Sequence, residues 1–503
     1  MENSLLNSLQ RQTNFTETEN GAIAHRSTLN AVYDLFAFGG SYRNRTEDEC
    51  IILFKKAYME NPELALKCLF YLRDVRGGQG ERRFFKVCMK WLAEHDVEAA
   101  FRNLENISNY GRWDDLYALV GTELEKDAFD VMKAQFNRDM VSLRTAANEG
   151  VSLLGKWLKS ENTHSPESKH LGKLTREAFG MTHKDYRKAL SALRTRINIV
   201  EKLMSEGRWT EIEFDKLPSK AGFIYRNAFA HRDIIADKYA EFIENKNTKV
   251  NAKTLYPYEV VHQVIEYAQP KVEEAVINKY WDNLPNYITN PDSKILCVVD
   301  VSGSMESTIG NTNYRAIDAS IGLGLYCAER LTGAFKNTFI TFSERPSLEY
   351  LVGDTVSAKI REIQRSNWGM NTNLEAVFDL LLNTIVREHI PEEDIPTSIV
   401  IISDMEIDYG LGDGDGWGCR KFDAETTMEK IRHRWEAAGV TMPRLVYWNV
   451  MARNNIVLDK TNSADVTYVS GFSPVLFESI TQGKSGIEVM LDKLNSARYA
   501  DVK

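Results

Sequence analysis

The chain is short of cysteine, proline and uninterrupted apolar sequence. Its six cysteines (Cys50, Cys68, Cys88, Cys297, Cys327 and Cys419) are scattered through 503 residues with no CxxC and no metal-type spacing. A disulfide framework and a zinc cluster are therefore not expected, and the thiols read as reduced, in a cytoplasmic protein. Only 12 prolines speak against a low-complexity or extended chain. No stretch approaches the roughly 18 uncharged apolar residues that cross a bilayer, and Met1 to Asn20 is polar and acidic instead of basic and then apolar, which disfavours export and membrane insertion. Catalytic signatures are missing too: there is no GxSxG, no HExxH and no P-loop ending in GK[ST], so no enzyme is expected.

An overall basic charge is also absent, since the formal net charge is -9. The balance is uneven along the chain. Residues 1–290 hold roughly 41 basic against 41 acidic side chains, and residues 291–503 about 21 against 30. Within the first part, Val151 to Arg232 is basic. Such an excess suits either a solvated helix face or a polyanion site.

From about Ser27 to Ile288 apolar residues recur three or four apart, broken every 10 to 20 residues or so by Gly, Asn or Pro, as in stacked helices. Asn61 can cap a helix with Pro62 in its first turn, and Gly77-Gly78-Gln79-Gly80 ends it. Further helices are expected at about 127–147, 184–206, 219–229, 232–245 and 259–267. Gly111-Arg112-Trp113-Asp114-Asp115-Leu116 and Gly207-Arg208-Trp209-Thr210-Glu211-Ile212 form a faint echo. It fits a helical repeat or two unrelated Gly-stopped helices.

After Asn290-Pro291-Asp292 the pattern changes. Compact apolar strands at 294–300, 337–342, 398–404, 444–449 and 465–469 alternate with helical stretches at 314–331, 373–386 and 425–438. This predicts a doubly wound, Rossmann-like parallel sheet, with ligands at the carboxyl ends of its strands. The expected organisation is thus α plus α/β, with an all-α module over 1–290 and the parallel sheet over 291–503.

At the end of the first of these strands stands Asp300-Val301-Ser302-Gly303-Ser304, and another ends at Ser403-Asp404. Thr372 opens the helix between them and can add a third hydroxyl. Carboxylates and hydroxyls are hard oxygen donors suited to Mg²⁺, with Mn²⁺ or Ca²⁺ tolerated. The alternative is a helix N-cap by Ser302 or Ser304, with Asp300 accepting turn amides.

The set Asp300, Ser302, Ser304, Thr372 and Asp404 resembles the metal-ion-dependent adhesion site of von Willebrand factor A domains. That resemblance implies that Ser302, Ser304 and Thr372 ligate the ion, with Asp300 and Asp404 acting largely through water. Further upstream, Tyr71 to Arg82 (YLRDVRGGQGER), Gly111 to Leu116 (GRWDDL) and Thr182 to Arg187 (THKDYR) resemble the Ro ribonucleoprotein (TROVE) family. The pattern is closest to an uncharacterised bacterial and bacteriophage branch of that family, including Tyr447 to Val450 and Val469 to Pro474. The resemblance implies HEAT-like helical repeats bent into a ring and closed by the A domain. It also implies small structured noncoding RNA of the Y class on a basic face, misfolded RNA at the hole, and a protein partner such as an exoribonuclease at the metal site. No membrane partner is expected, and the expected state is a monomer.

Read by its chemistry alone, Leu171 to Arg196 gathers Lys173, Arg176, His183, Lys184, Arg187, Lys188, Arg194 and Arg196 into about two helices, with Tyr186 interleaved. Cations at helical spacing can follow a phosphate backbone, and a neutral ring can stack. Lys173, Arg176, His183, Lys184, Arg187, Lys188 and Arg194 are the candidate RNA contacts, His183 and Lys184 foremost by the resemblance. Lys156-Trp157-Leu158-Lys159 with His164 makes a weaker patch. Arg76, Arg82 and Arg83 beside the GGQG turn fit a phosphate contact or surface arginines on an interhelical turn. The glycine run at 410–418 fails the EF-hand pattern. The expected function is Ro-like capture of small or misfolded noncoding RNA. The competing reading is a metal-dependent protein-assembly factor that acts through the A domain without RNA.

Overall fold

A computed structural model describes residues 14–18, 23–145, 150–197, 199–266, 271–342, 346–365, 373–407, 427–453, 455–459 and 465–503. Two compact units emerge: Met1–Ala65 with Leu255–Leu494, and Leu66–Thr254 with Asn495–Lys503. The modules expected to meet at 290/291 divide the chain along its length, whereas these units divide it by packing. Among the described residues no helix is long and apolar enough to cross a membrane.

The first unit is α/β. A short antiparallel hairpin, β1 (Phe15–Glu17) and β2 (Ile23–His25), precedes a six-stranded sheet. Its strands are β3 (Ile295–Asp300), β4 (Thr338–Phe342), β5 (Leu348–Tyr350), β6 (Ser398–Ser403), β7 (Arg444–Asn449) and β8 (Val466–Ser470). Their order is β5-β4-β3-β6-β7-β8, all parallel except the antiparallel edge strand β5. The five expected strands are present. Strand β5 was not foreseen: it has three residues and exposes Leu348 and Tyr350, so it lacks the apolar run that marks its neighbours.

Chain order reverses between β3 and β6, the switch point at which such sheets open a crevice at their carboxyl edge. Nearly every residue of helix Ala316–Arg330 is buried. Gly324 lies where a side chain would strike Val299 of β3, and Gly322 where one would strike the Pro257–Tyr258 backbone. These two glycines let the helix sit tightly between the sheet and helix Pro257–Glu266, which is why residues from 255 onward pack with the α/β unit.

The second unit is helical. It includes helices Arg82–His95, Glu125–Thr145, Pro166–Phe179, His183–Arg196 and Asp233–Glu244. Two expected helices are divided: 184–206 into His183–Arg196 and Val200–Ser205, and 219–229 into Ser219–Ile224 and Arg226–Ala230. In the first case the β-branched Ile197, Ile199 and Val200 favour the break, because such side chains crowd the preceding helical turn. In the second, Tyr225 leaves the helical region at φ -89°, ψ 5°.

The GGQG run forms a tight turn in which the N–H groups of Gln79 and Glu81 return to the carbonyls of Tyr71 and Leu72 at 3.2 and 2.7 Å. A Cβ at Gly78 would collide with the Tyr71 carbonyl oxygen. The chain's last residues pack here as well: Arg498 and Tyr499 both bond the buried Asp74, the latter at 3.0 Å.

Candidate functional site

Parallel pairing of β3 with β6 brings Asp300 and Ser403 to the same edge of the sheet. Asp300 is fully buried. Its Oδ1 accepts the Ser302 N–H at 2.9 Å and its Oδ2 the Ser403 hydroxyl at 2.6 Å. The Ser302 and Ser304 hydroxyls lie 3.0 Å apart. Ser302 stands at the N-cap position of a short 3-10 helix, Gly303–Glu306, yet makes no side-chain cap hydrogen bond. The capping alternative therefore does not explain this serine, although Asp300 does satisfy a turn amide.

Asp404, also fully buried, follows the end of β6 and accepts the Glu406 N–H through Oδ1 at 3.2 Å. Next to it Met405 adopts φ +65°, a left-handed conformation uncommon outside glycine and asparagine. That turn aims Met405 N–H at the Ser403 hydroxyl, 3.0 Å away. Burial, and then the like charge of Asp404, push the Asp300 carboxyl up to about 7, against the opposing effect of the Ser403 and Ser302 hydrogen bonds.

Two residues of this edge were not foreseen. Ser403 ties Asp300 to β6. Arg453 donates to the Ser304 carbonyl at 2.8 Å and to the Ser307 hydroxyl at 2.7 Å, with its Nε 3.8 Å from Asp404 Oδ2. No local motif announces Arg453. It arrives because β7 pairs with β6 and Val450 continues the ladder to the Ser403 carbonyl at 3.0 Å. Thr372 and the glycine run at 410–418 lie outside the described residues. Among the described residues no group of three or more His, Cys, Asp and Glu side chains could hold a metal. The donors at this edge are two carboxylates and two hydroxyls, a hard-oxygen set that fits Mg²⁺ with water completing the shell.

In the helical unit the basic candidates divide into two groups. Lys173, His183, Lys184, Arg187 and Lys188 are exposed, and Lys173 has only a loose pairing with Glu177 at 4.0 Å. Arg176 and Arg194 are engaged internally. Arg176 bonds Glu161 at 2.8 Å and Glu177 at 3.0 Å, and Arg194 donates to the carbonyls of Gly155 and Leu158, both at 2.9 Å. Tyr186 cannot serve as a stacking platform, because it is buried and its hydroxyl donates to the Lys159 carbonyl at 2.8 Å. The reason is helical phase: Tyr186, Ala189, Leu190 and Leu193 form the buried stripe of His183–Arg196, and Tyr186 belongs to it. Asp185 is spent locally, bonding the Thr182 hydroxyl at 2.7 Å across the helix start.

The segments YLRDVRGGQGER and GRWDDL meet in space. Buried Arg73 holds Asp115 through Nε at 2.8 Å and Nη2 at 2.6 Å. Arg82 pairs with Asp114 and, at 3.4 Å, with Asp115, while Arg76 reaches the Asn109 carbonyl at 3.0 Å. A Cβ at Gly111 would collide with the Asp115 carboxylate. In the later echo, Arg208 pairs with Glu211 at 2.5 Å and Glu206 at 3.0 Å on the surface. Both tryptophans open 3-10 helices, but only the first copy carries buried charge.

Two family models match the chain, each described as a domain of unknown function: DUF2828 over residues 18–151 and 151–290, and DUF7788 over 294–496. An uncharacterized protein of Acanthamoeba polyphaga mimivirus is 29% identical over 507 residues, covering 93% of this chain and 84% of its own length. Among solved structures, the crystal structure of the Deinococcus radiodurans Ro (RSR) protein is similar over 93% of this chain and 99% of that one. The TM-score is 0.42 and the identity 13%, values that leave the functional argument to the site itself.

Proposed function

The chain belongs to the DUF2828 family, whose description assigns no activity, and from its own residues we propose that it is an RNA-binding protein rather than an enzyme. The observation that carries this reading is the exposed cationic face of helices Pro166–Phe179 and His183–Arg196. Lys173, His183, Lys184, Arg187 and Lys188 point outward there, while the apolar stripe of each helix is buried. Flexible cations on a rigid helix pair suit the backbone of a structured RNA, which is recognised by shape and phosphate spacing more than by base sequence. The segments that resemble the Ro family support the same class of ligand: small structured or misfolded noncoding RNA. Arg176 and Arg194 stiffen this face instead of touching the RNA.

The sheet edge is the second functional element of the proposal. Ser302 and Ser304 would hold Mg²⁺ directly, and Asp300 and Asp404 would act largely through water, with Thr372 as a further ligand. An acidic group of a protein partner would complete the shell. When bound, the ion would supply a Lewis-acidic docking point.

Filter binding with a small structured RNA tests the main reading. Changing Lys173, Lys184, Arg187 and Lys188 together to Glu should weaken binding by about 100-fold or more at low salt and flatten its salt dependence by several units of slope. Unchanged affinity and slope would remove this face from consideration, and a wild-type protein that binds no RNA would leave the metal-dependent assembly factor as the better reading.

A further inference from the structure

Around the adjacent carboxylates of Asp114 and Asp115 stand, among the described residues, Arg73, Arg82, Lys86, Arg112 and Lys159, five cations beside two anions. Arg73 is buried and bonds Asp115 through Nε at 2.8 Å. Arg112 lies over the Trp157 ring at 4.5 Å. The other three approach from two directions, Arg82 bonded to both aspartates and the two lysines held more loosely. Arg82 and Lys86 project from one turn of helix Arg82–His95, and Lys159 follows the short helix Leu154–Trp157. Lys86 is 3.8 Å from Asp115 and Lys159 is 3.8 Å from Asp114. Their side chains remain 41% (Arg82), 29% (Lys86) and 30% (Lys159) exposed.

An internal salt-bridge network alone would call for matched charge, because each surplus cation near a desolvated cluster costs free energy. The mismatch is felt: Lys86 is lowered from its usual range by burial and then by Arg82, and Arg112 by burial and then by Arg73 and Arg82. The cluster has a complementary defect as well. Asp114 is 2% exposed, and its Oδ1 is buried without a donor. A ligand that relieved both would be an oxyanion bearing a proton of its own. Inorganic phosphate and phosphomonoesters have such a P–OH near neutral pH; sulfate and phosphodiesters do not.

We propose that this cluster is a binding site for inorganic phosphate or a terminal phosphomonoester, with Arg82, Lys86 and Lys159 on its oxyanions and its P–OH donating to Asp114 Oδ1. The site is distinct from the exposed face of helices Pro166–Phe179 and His183–Arg196 and does not depend on the RNA reading, since the first probe is phosphate itself.

Calorimetric titration of the full chain at about pH 6.5, where a monoester is still partly protonated, decides it. Inorganic phosphate should bind saturably, and sulfate at equal ionic strength at least about ten-fold more weakly. Lys86→Gln with Lys159→Gln, checked for folding by circular dichroism, should lose about ten-fold or more in phosphate affinity. Lys184→Gln with Arg187→Gln should keep it. Absence of saturable phosphate binding, equal binding of sulfate, or wild-type affinity in the folded double variant would each overturn the proposal. The same short RNA with a 5′-phosphate or a 5′-hydroxyl then separates the sources. Tighter binding of the phosphorylated form supports a nucleic-acid end as ligand, whereas equal binding beside intact phosphate affinity supports free phosphate.

Discussion

Each unit of this protein buries two aspartates side by side, and the two pairs are balanced in opposite ways. At the sheet edge, among the described residues, Asp300 accepts the Ser302 N–H and the Ser403 hydroxyl, and the Arg453 guanidinium stands 3.8 Å from Asp404. In the helical unit Asp114 and Asp115 are met by five cations among the described residues. The same side chain, equally buried, thus stands among hydroxyl and amide donors in one place and among several cations in the other. The first arrangement suits a cation and the second an anion. Burial of acid is not the signal for a metal site; the sign of what remains after internal pairing is.

The sharpest way to break this comparison is to delete one acid from each pair. Asp115→Ala leaves the buried Arg73 guanidinium without its partner, and stability should fall by about 3–5 kcal/mol, read by chemical denaturation. Asp300→Asn in EDTA removes one of two repelling buried charges and should leave stability within about 1 kcal/mol of wild type. Equal losses in the two variants would mean that both pairs are simply structural, and the contrast would vanish.

A smaller effect should come from ligand addition. Mg²⁺ at about a hundred times its dissociation constant should stabilise the chain by roughly 2.7 kcal/mol, seen as a rise in Tm that EDTA reverses. Asp300→Asn should abolish that rise, because the remaining donors hold too little charge to strip water from the ion. A shift that survives Asp300→Asn would place the ion elsewhere.

How much of this was legible follows from the distance over which each feature is encoded. Asp300, Ser302 and Ser304 could be read because a compact apolar strand ending in DxSxS fixes both their sheet position and their spacing, and Asp404 because its own strand ends the same way. Ser403 was passed over as an ordinary strand residue, and Arg453 was invisible because only the β6–β7 register brings it to the edge. On the helical side, counting cations found the basic face but could not separate outward Lys184 and Arg187 from inward Arg194, since helical phase relative to Tyr186 and Leu193 decides that. The GRWDDL segment was legible as a motif but not as an ionic cluster, because Arg73, Arg82, Lys86 and Lys159 come from three separate stretches of chain.

The finest distinction between the two pairs lies in what one arginine does to each. At the sheet edge Arg453 would compete with an incoming cation for Asp404, so Arg453→Gln should tighten Mg²⁺ binding by a few-fold, about 1 kcal/mol for a partly buried neighbouring charge at 3.8 Å. It should also lose some stability, because the bonds to the Ser304 carbonyl and the Ser307 hydroxyl are weakened. In the helical unit Arg82→Gln should act in the reverse sense and weaken phosphate binding, since Arg82 belongs to the surplus that an oxyanion would neutralise. Arg453→Lys restores the charge without the planar fork, and it should return Mg²⁺ affinity toward wild type while the hydrogen-bond loss persists. Calorimetry on the three variants therefore separates charge from geometry. If Arg453→Gln weakens Mg²⁺ binding, the guanidinium organises the serine loop rather than opposing the ion, and the sheet edge would need its counter-charge where the helical cluster has too much.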